Sequence, residues 1–432
     1  MNKFALVLLA SISASISASS APALPTSAPS FEFFCKELLQ PTPVVTDYTG
    51  KFTASFRDAF PEEQMKEIFL AVVEETESCL SHEAYSDSLT SHVVVLRGPK
   101  KKDVYLLVGT DEKSGLISSL VFDGIVDESI EIAQWSDLSK AFAQVAPNGK
   151  MAATLMTDDA SVHLATDETT VFAIGSTFKL YVLAALDLAV REKRAQWTDV
   201  LPLRDSWKSP SGGMDDWPSG QNVELLSFAK SMIAISDNTA TDHLIHHLGR
   251  KPIEAMFSVM GAAHAQRPLM TTIEMFKLKW AIEPKLADQY VLATEDERRA
   301  ILDSLGSVAR DEIGKNGVPG HLPTRISTIE WFATTRENCA AVFWLASEGS
   351  AEVREILSIN TPFVKPGGHW NYVGYKGGSE PGVVSMTYLL ESKSGRRACL
   401  SMSWNDEARP VSSYAFYSLM KKTLAFAESQ IP

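Results

Sequence analysis

In the last two-thirds of the chain, strand-like runs occur only at the two ends of a long helical stretch. Met151–Thr157 and Val162–Thr166 flank Asp158-Asp-Ala-Ser161 and read as a hairpin. A long apolar helix is predicted from Ser176 to about Lys193, and a mostly helical stretch from Val223 to about residue 347. Asn371–Gly377, Val383–Glu391 and Arg397–Trp404 then read as strands, with Lys393-Ser394-Gly395 turning the last pair. A lone hairpin is marginal in water, so strands from both ends are expected to share one antiparallel sheet. The short helix Asp137–Val145, the helical insertion and a final amphipathic helix from Val411 to about Glu428 would pack against that sheet. The predicted fold class is α+β.

The chain has 432 residues, 45% of them hydrophobic, a length and composition that favour two domains with a large core. The earlier part reads differently from the later one. Residues 61–80 suggest a helix, with Met65, Ile68, Phe69, Val72 and Val73 at helical spacing. Ser91–Arg97, Val104–Gly109 and Ile117–Phe122 follow as strands separated by Gly98-Pro-Lys and Asp111-Glu-Lys-Ser-Gly115. This helix-plus-meander resembles the small cone-shaped α+β domains of the steroid-isomerase/nuclear-transport-factor type. It offers no acid–base constellation and reads as a structural or substrate-shaping module. The expected division is a leader over residues 1–23, a small α+β domain over 24–130, and a second domain over 131–432.

Lys3 followed by the apolar run Phe4–Ala10 and a small-residue tract fits a signal peptide cleaved between Ala18 and Ala23. The apolar run is too short to span a membrane, and no cysteine follows it closely enough for a lipid anchor. Leu24-Pro-Thr-Ser-Ala-Pro-Ser30 reads as a flexible lead-in. A secreted or periplasmic location is expected. The four cysteines, Cys35, Cys79, Cys339 and Cys399, then permit two disulfides. Cys35–Cys79 and Cys339–Cys399 would each stay within one domain, but three connectivities are open. A formal net charge of −13 argues against nucleic acid or an anionic membrane as partner. A small-molecule substrate remains; the oligomeric state is left open.

Chemistry concentrates in three segments. Ser176 and Lys179, in Ile174-Gly-Ser176-Thr-Phe-Lys179, lie a turn apart at the start of a helix. A serine hydroxyl needs an adjacent base, and a lysine serves only if burial or a second cation lowers its pKa. A helix N-terminus also favours the oxyanion that forms on attack. Alone the spacing discriminates little, because Ser227-Phe-Ala-Lys230 and Ser418-Leu-Met-Lys421 repeat it inside amphipathic helices. The second segment, Ser231-Met-Ile-Ala-Ile-Ser236-Asp237-Asn238-Thr-Ala-Thr-Asp242, occurs once; a structural reading makes Thr239 and Asp242 a capping box. The third, Tyr375-Lys376-Gly377-Gly378-Ser379, lies on the first late strand and is otherwise an edge strand broken by glycines.

Ser-x-x-Lys, Ser-Asp-Asn and Lys-x-Gly in this order resemble the class A β-lactamases and related penicillin-binding proteins, over roughly residues 135–432. The resemblance implies a five-stranded antiparallel sheet with a helical subdomain. It makes Ser176 the acylated nucleophile, Lys179 its base and Ser236 a proton relay to the leaving group. Asn238 would bond substrate and brace Lys179. Lys376 would hold a substrate carboxylate, with Gly378 and Ser379 also against the substrate. Backbone N–H groups of Ser176 and Ser379 would form the oxyanion hole. No cofactor and no metal are implied. His243, His246 and His247 fall at helical spacing, but without a partner ligand in register a solvated or capping role is preferred. Trp370, Tyr372 and Tyr375 would be core residues or a pocket wall.

Three departures qualify the resemblance. Gly377 stands where the family usually carries Thr or Ser, removing a carboxylate-binding hydroxyl that Ser379 would have to supply. The interval from Ser236 to Lys376 is long and implies an insertion around residues 284–325. The Glu-x-x-Leu-Asn loop with the deacylating glutamate is missing; Glu254 and Glu274 lie nearby without the motif, and Arg267-Pro-Leu-Met-Thr-Thr-Ile-Glu-Met looks like the helix that follows that loop. The combination is similar to a subgroup that includes the protein encoded within clavulanic-acid gene clusters, which joins a steroid-isomerase-like domain to a class A-like domain. That likeness implies weak β-lactamase action and better esterase action on cephalosporin-like esters. The competing readings are a peptidoglycan D-Ala-D-Ala carboxypeptidase or transpeptidase, and a catalytically idle binding module.

Overall fold

The computed structural model describes residues 31–86, 91–111, 113–147, 149–315 and 322–432, so the expected signal peptide and lead-in lie outside the described residues. The chain divides into two compact units, one reaching to Ala133 and including Ser412–Lys422, the other comprising Gln134–Val411 and Thr423–Pro432. The first part of the C-terminal helix thus groups with the earlier unit, a partition that its sequence position did not suggest.

In the first unit the strands Ser81–Ser86, Ser91–Arg97, Lys102–Thr110 and Ile117–Asp127 form a four-stranded antiparallel meander. The helix Glu62–Thr76 buries Met65, Phe69 and Val72, and these join Val94, Leu96, Val104 and Leu106 in one core. The strand Ser81–Ser86 was not predicted. Its sequence Ser-His-Glu-Ala-Tyr-Ser has no apolar alternation, and pairing with Ser91–Arg97 creates it. Cys35 and Cys79 are disulfide-bonded. Asp123 accepts from the Tyr414 N–H at 2.9 Å and from the Ser412 hydroxyl at 3.1 Å, tying the start of the helix Ser413–Gln430 into this unit. Burial raises the Asp123 carboxyl to about 6.

The second unit has the sheet expected from the strand distribution. Its five antiparallel strands run in the order Trp370–Glu380, Val383–Ser392, Arg397–Asn405, Lys150–Thr157, Val162–Thr166. The register sets Lys376 opposite Thr387, Thr387 opposite Ser401, and Ser401 opposite Thr154. That row carries a buried hydroxyl network: Thr387 and Ser401 oxygens are 3.0 Å apart, and Thr154 bonds Thr335 at 2.7 Å. Buried polar groups need such partners. Here they join the sheet to the helix Thr335–Glu348, which the Cys339–Cys399 disulfide also links to it.

The helix Lys179–Arg191 is almost wholly buried, from Leu180 to Leu186 and at Ala189, which is why its sequence is apolar all round. A short ladder pairs Phe172–Ala173 with Phe332–Ala333 and holds the chain just before Ser176 against the chain just before Thr335. The interval 284–325 contains helices Pro284–Leu292 and Glu295–Ser304. Cys35–Cys79 and Cys339–Cys399 are therefore the pairing chosen among the three that the sequence left open. Among the described residues no helix is long and apolar enough to cross a membrane.

Candidate active site

Ser176 lies in a 3-10 turn, Gly175–Phe178, and the α-helix proper begins at Lys179 rather than at Ser176. Residues i and i+3 eclipse in a 3-10 turn, so the serine and lysine still share a face. Gly175 takes φ of +48°, a left-handed value that glycine adopts without the Cβ penalty. Phe178 anchors the turn by stacking on Trp331, with centroids 4.0 Å apart and planes 10° apart. Ser176 itself is partly exposed, whereas Lys179 is fully buried.

The three motifs converge at Ser236. Lys179 Nζ donates to the Ser236 carbonyl at 2.6 Å, to Asn238 Oδ1 at 2.7 Å and to Ser236 Oγ at 3.2 Å. Lys376 Nζ reaches the same Oγ at 3.1 Å and the Gly377 carbonyl at 2.5 Å. One hydroxyl therefore bridges two buried lysine amines that are 197 residues apart in sequence (376 − 179 = 197). Burial brings the Lys179 amine down to about 7, against the opposing pull of Asp237 and Asp242. Lys376 is held well below its ordinary value by burial, and secondarily by the Lys179 charge. Among the described residues no hydrogen bond joins Lys179 to Ser176.

A segment that the sequence reading passed over orients this centre. Asn238 Nδ2 donates to the Pro210 carbonyl at 2.7 Å, and the Asn238 N–H donates to the Ser211 carbonyl at 3.0 Å. A carbonyl only accepts and an ammonium only donates, so Pro210 and Lys179 together fix which way the amide points. Asp237, not Thr239, caps the helix Asn238–Leu248, accepting from Ala240 N at 2.7 Å and Met214 N at 3.0 Å. The Thr239–Asp242 capping box is therefore corrected. Thr239 instead bonds Ser209, and Asp242 accepts from Thr272 N and Ile273 N at 2.7 and 2.9 Å. The only hint in the sequence was the turn composition of Ser209-Pro-Ser-Gly-Gly213.

Gly378 closes the other side of Ser176. A methyl carbon on Gly378 would lie 2.8 Å from the Gly175 carbonyl carbon and closer still to Ile174 O and Ser176 N. One on Gly175 would lie 3.0 Å from Ser379 N. The backbones of Ser176 and Ser379 are thus pressed together, and only glycine permits the approach. Ser379 is exposed.

Both glutamates near the missing loop are committed elsewhere. Glu254 accepts from Leu269 N at 2.8 Å and pairs with Arg299 at 2.7 Å. Glu274 forms a capping box with Thr271 and an ion pair with Arg250. The segment Arg267–Thr271 does lead into a helix, Thr272–Trp280. That helix delivers Lys279, which is fully buried between Glu330 at 3.1 Å and Glu380 at 2.6 Å. Nothing in the three motifs announced this cluster. Glu380 Oε2 is buried without a hydrogen-bond partner among the described residues, and burial, with Glu330 nearby, holds the Glu380 carboxyl well above its ordinary range.

His243 and His246 are held by structural contacts. His243 donates from Nδ1 to the Thr239 carbonyl at 2.7 Å, and its Nε2 accepts from Arg204 N at 2.9 Å. His246 stacks on Trp207 at 4.6 Å. Trp370 is buried and Tyr372 donates to the Arg354 carbonyl at 2.8 Å, so of the three late aromatics only Tyr375 lies beside the site.

A five-stranded sheet, a serine turn leading into a buried lysine helix and two further motifs meeting on one hydroxyl define a serine hydrolase fold of the β-lactamase type. Residues 135–308 match the family described as Beta-lactamase enzyme family, in keeping with the resemblance to β-lactamases read from the three motifs. A β-lactamase from Sphaerobacter thermophilus superposes with a TM-score of 0.51 at 20% identity, covering 69% of this chain and 99% of its own. One from Streptosporangium roseum gives 0.50 at 14% identity, covering 68% and 97%. At these identities the superpositions show the fold. Among curated proteins no sequence matches.

Proposed function

We propose that the protein is a serine hydrolase that works through an acyl-enzyme on Ser176, with a β-lactam or an ester as substrate. The observation that carries the reading is the Ser236 hydroxyl held between Lys179 and Lys376, at 3.2 and 3.1 Å. In this mechanism neutral Lys179 takes the Ser176 proton as Oγ attacks the carbonyl. The oxyanion sits between the Ser176 and Ser379 N–H groups. The proton passes through Ser236 to the departing nitrogen or oxygen. Each preorganised donor of such a pair contributes about 10²–10³ in rate. Asn238 keeps Lys179 in place and offers its amide to substrate, while Lys376 supplies positive charge for a substrate anion.

Turnover of the acyl-enzyme needs a base for water, and neither Glu254 nor Glu274 is available. This supports weak β-lactamase action and better action on simple esters. A secreted or periplasmic location is supported by the two disulfides, which persist in oxidising compartments. The test is labelling with a fluorophosphonate or penicillin, followed by peptide mapping. Label confined to Ser176 and lost in Ser176→Ala is the expected result. Label on Ser227 or Ser418 would sink the assignment.

A further inference from the structure

Lys279 lies outside the three motifs, yet it is fully buried and holds two carboxylates from separate segments. Its Nζ donates to Glu330 Oε1 at 3.1 Å and to Glu380 Oε1 at 2.6 Å. Charge-assisted bonds of this kind are short and about twice as strong as neutral ones. Replacing a buried ion cluster by well-packed apolar groups is often neutral for stability, so stability by itself does not account for this one. The cluster does fix a distance: one ammonium on the capped helix Thr272–Trp280 keeps two chain segments together.

Each carboxylate adjoins a residue that holds the Ser176 turn. Glu330 Oε2 accepts from the Trp331 N–H at 3.0 Å. The Trp331 carbonyl accepts from Ile174 N at 2.9 Å, and the Trp331 ring stacks on Phe178. Trp331 thus grips both ends of the turn that carries Ser176. Glu380 directly follows Ser379, whose N lies 3.0 Å from where a methyl carbon on Gly175 would stand. Trp331 therefore sets where the Ser176 N–H sits, and the strand Trp370–Glu380 sets where the Ser379 N–H sits. Lys279 ties the two together.

We propose that Lys279 is a positioning residue: by drawing Glu330 and Glu380 together it sets the gap between the Ser176 and Ser379 N–H groups. It acts through the two backbones and not on the substrate. The assignment rests on the acyl-enzyme reading above, in which those two N–H groups hold the oxyanion. A displacement of about 1 Å at a reacting centre costs up to about 10²-fold in rate, so a remote tie can govern a reaction it does not join.

The test compares two esters on the full-length protein, para-nitrophenyl acetate and its thionoacetate counterpart. Both pass their acyl group to Ser176 and release para-nitrophenolate. They differ in the atom that becomes the anion, and sulfur is larger than oxygen and a weaker hydrogen-bond acceptor. The parent should be acylated faster by the oxygen ester. Lys279→Met/Glu330→Gln/Glu380→Gln removes the tie and leaves no charge uncompensated. Its acylation rate constant should fall about ten-fold or more with the oxygen ester and about three-fold or less with the sulfur ester. Glu380→Ala, which frees the strand alone, should narrow the ratio in the same direction, and it decides the matter if the triple variant does not fold. A role in folding alone would lower the burst amplitude and leave the ratio of rate constants at the parent value. That parental ratio, or equal losses on the two esters, would overturn the assignment. Intact mass of the parent after each ester reports the Ser176 adduct. Its absence would remove the hydrolase reading and this role with it, whereas an adduct with an unchanged ratio in the variants removes this role alone.

Discussion

Lys179 donates to the Ser236 carbonyl at 2.6 Å, and Ser236 holds a left-handed backbone, φ 61°, in presenting both that carbonyl and its hydroxyl to the same ammonium. A residue with a Cβ loses about 1–2 kcal/mol in this conformation, and glycine does not. Ser236→Gly and Ser236→Ala both remove the proposed relay hydroxyl but differ in this cost. Both should lose most Ser176 acylation, and the glycine variant should be more stable than the alanine variant by about 1 kcal/mol, less any entropy difference in the unfolded chains. Chemical denaturation of the two proteins checks this. An alanine variant as stable as the glycine variant would show that the backbone here is unstrained.

The pH dependence of acylation follows from Lys179. Burial lowers its amine to about 7, so the neutral form that accepts the Ser176 proton appears as pH rises through that value. Acylation by a penicillin should climb with pH, bend near 7 and flatten above it. Lys179→Arg, whose guanidinium stays protonated, should lose the limb and about 10²–10⁴ in rate. A limb centred near the ordinary lysine value would mean that Lys179 is not held neutral by its burial.

Penicillins and cephalosporins should acylate the protein and leave slowly. Acylation uses groups already in place, whereas deacylation lacks a carboxylate in the expected loop, because Glu254 and Glu274 are tied to Arg299 and Arg250. Loss of a general base slows a step by about 10²–10⁴-fold. Stopped-flow with a chromogenic cephalosporin should show a burst near one equivalent and a slow steady rate, with simple esters turning over faster. Rapid linear hydrolysis would point to another base, and Glu380, on the Lys376 strand and with an Oε2 that has no hydrogen-bond partner among the described residues, would be the first residue to replace by glutamine.

Lys279 sustains two buried carboxylates, Glu330 and Glu380. Removing one member of a buried ion cluster leaves charge uncompensated and costs about 3–5 kcal/mol. Lys279→Met should destabilise the protein by about that amount in chemical denaturation. The triple variant Lys279→Met/Glu330→Gln/Glu380→Gln should recover much of the loss. Equal stability of Lys279→Met and the parent would mean that the cluster leaves no uncompensated charge when the ammonium is removed.

Much of the later unit was legible from order alone. Strands at both ends of a helical stretch point to a composite sheet, and strand-like runs bounded by turn signals located all five strands. The three motifs named Ser176, Lys179, Ser236, Asn238 and Lys376 because reactive side chains at fixed spacing leave a local trace. The strand Ser81–Ser86 left none, being polar and defined only by its partner. The cap of the helix Asn238–Leu248 was misread for a related reason: Asp237 and Thr239 are both competent caps, and the distant Ser209–Met214 segment decides between them.

The sequence by itself determined the α+β class, the three motifs on which the proposed serine nucleophile rests, and the gap where the resemblance places a deacylating glutamate. Tertiary structure alone decided how those groups act on one another. Burial sets the protonation of Lys179 and Lys376, and burial depends on every element that packs around them. The orientation of Asn238 depends on the Pro210 carbonyl, and the space over Gly377 depends on the rotamer of Tyr375 against Tyr388. Each of these is a through-space relation between segments, so no pattern local to the chain records it.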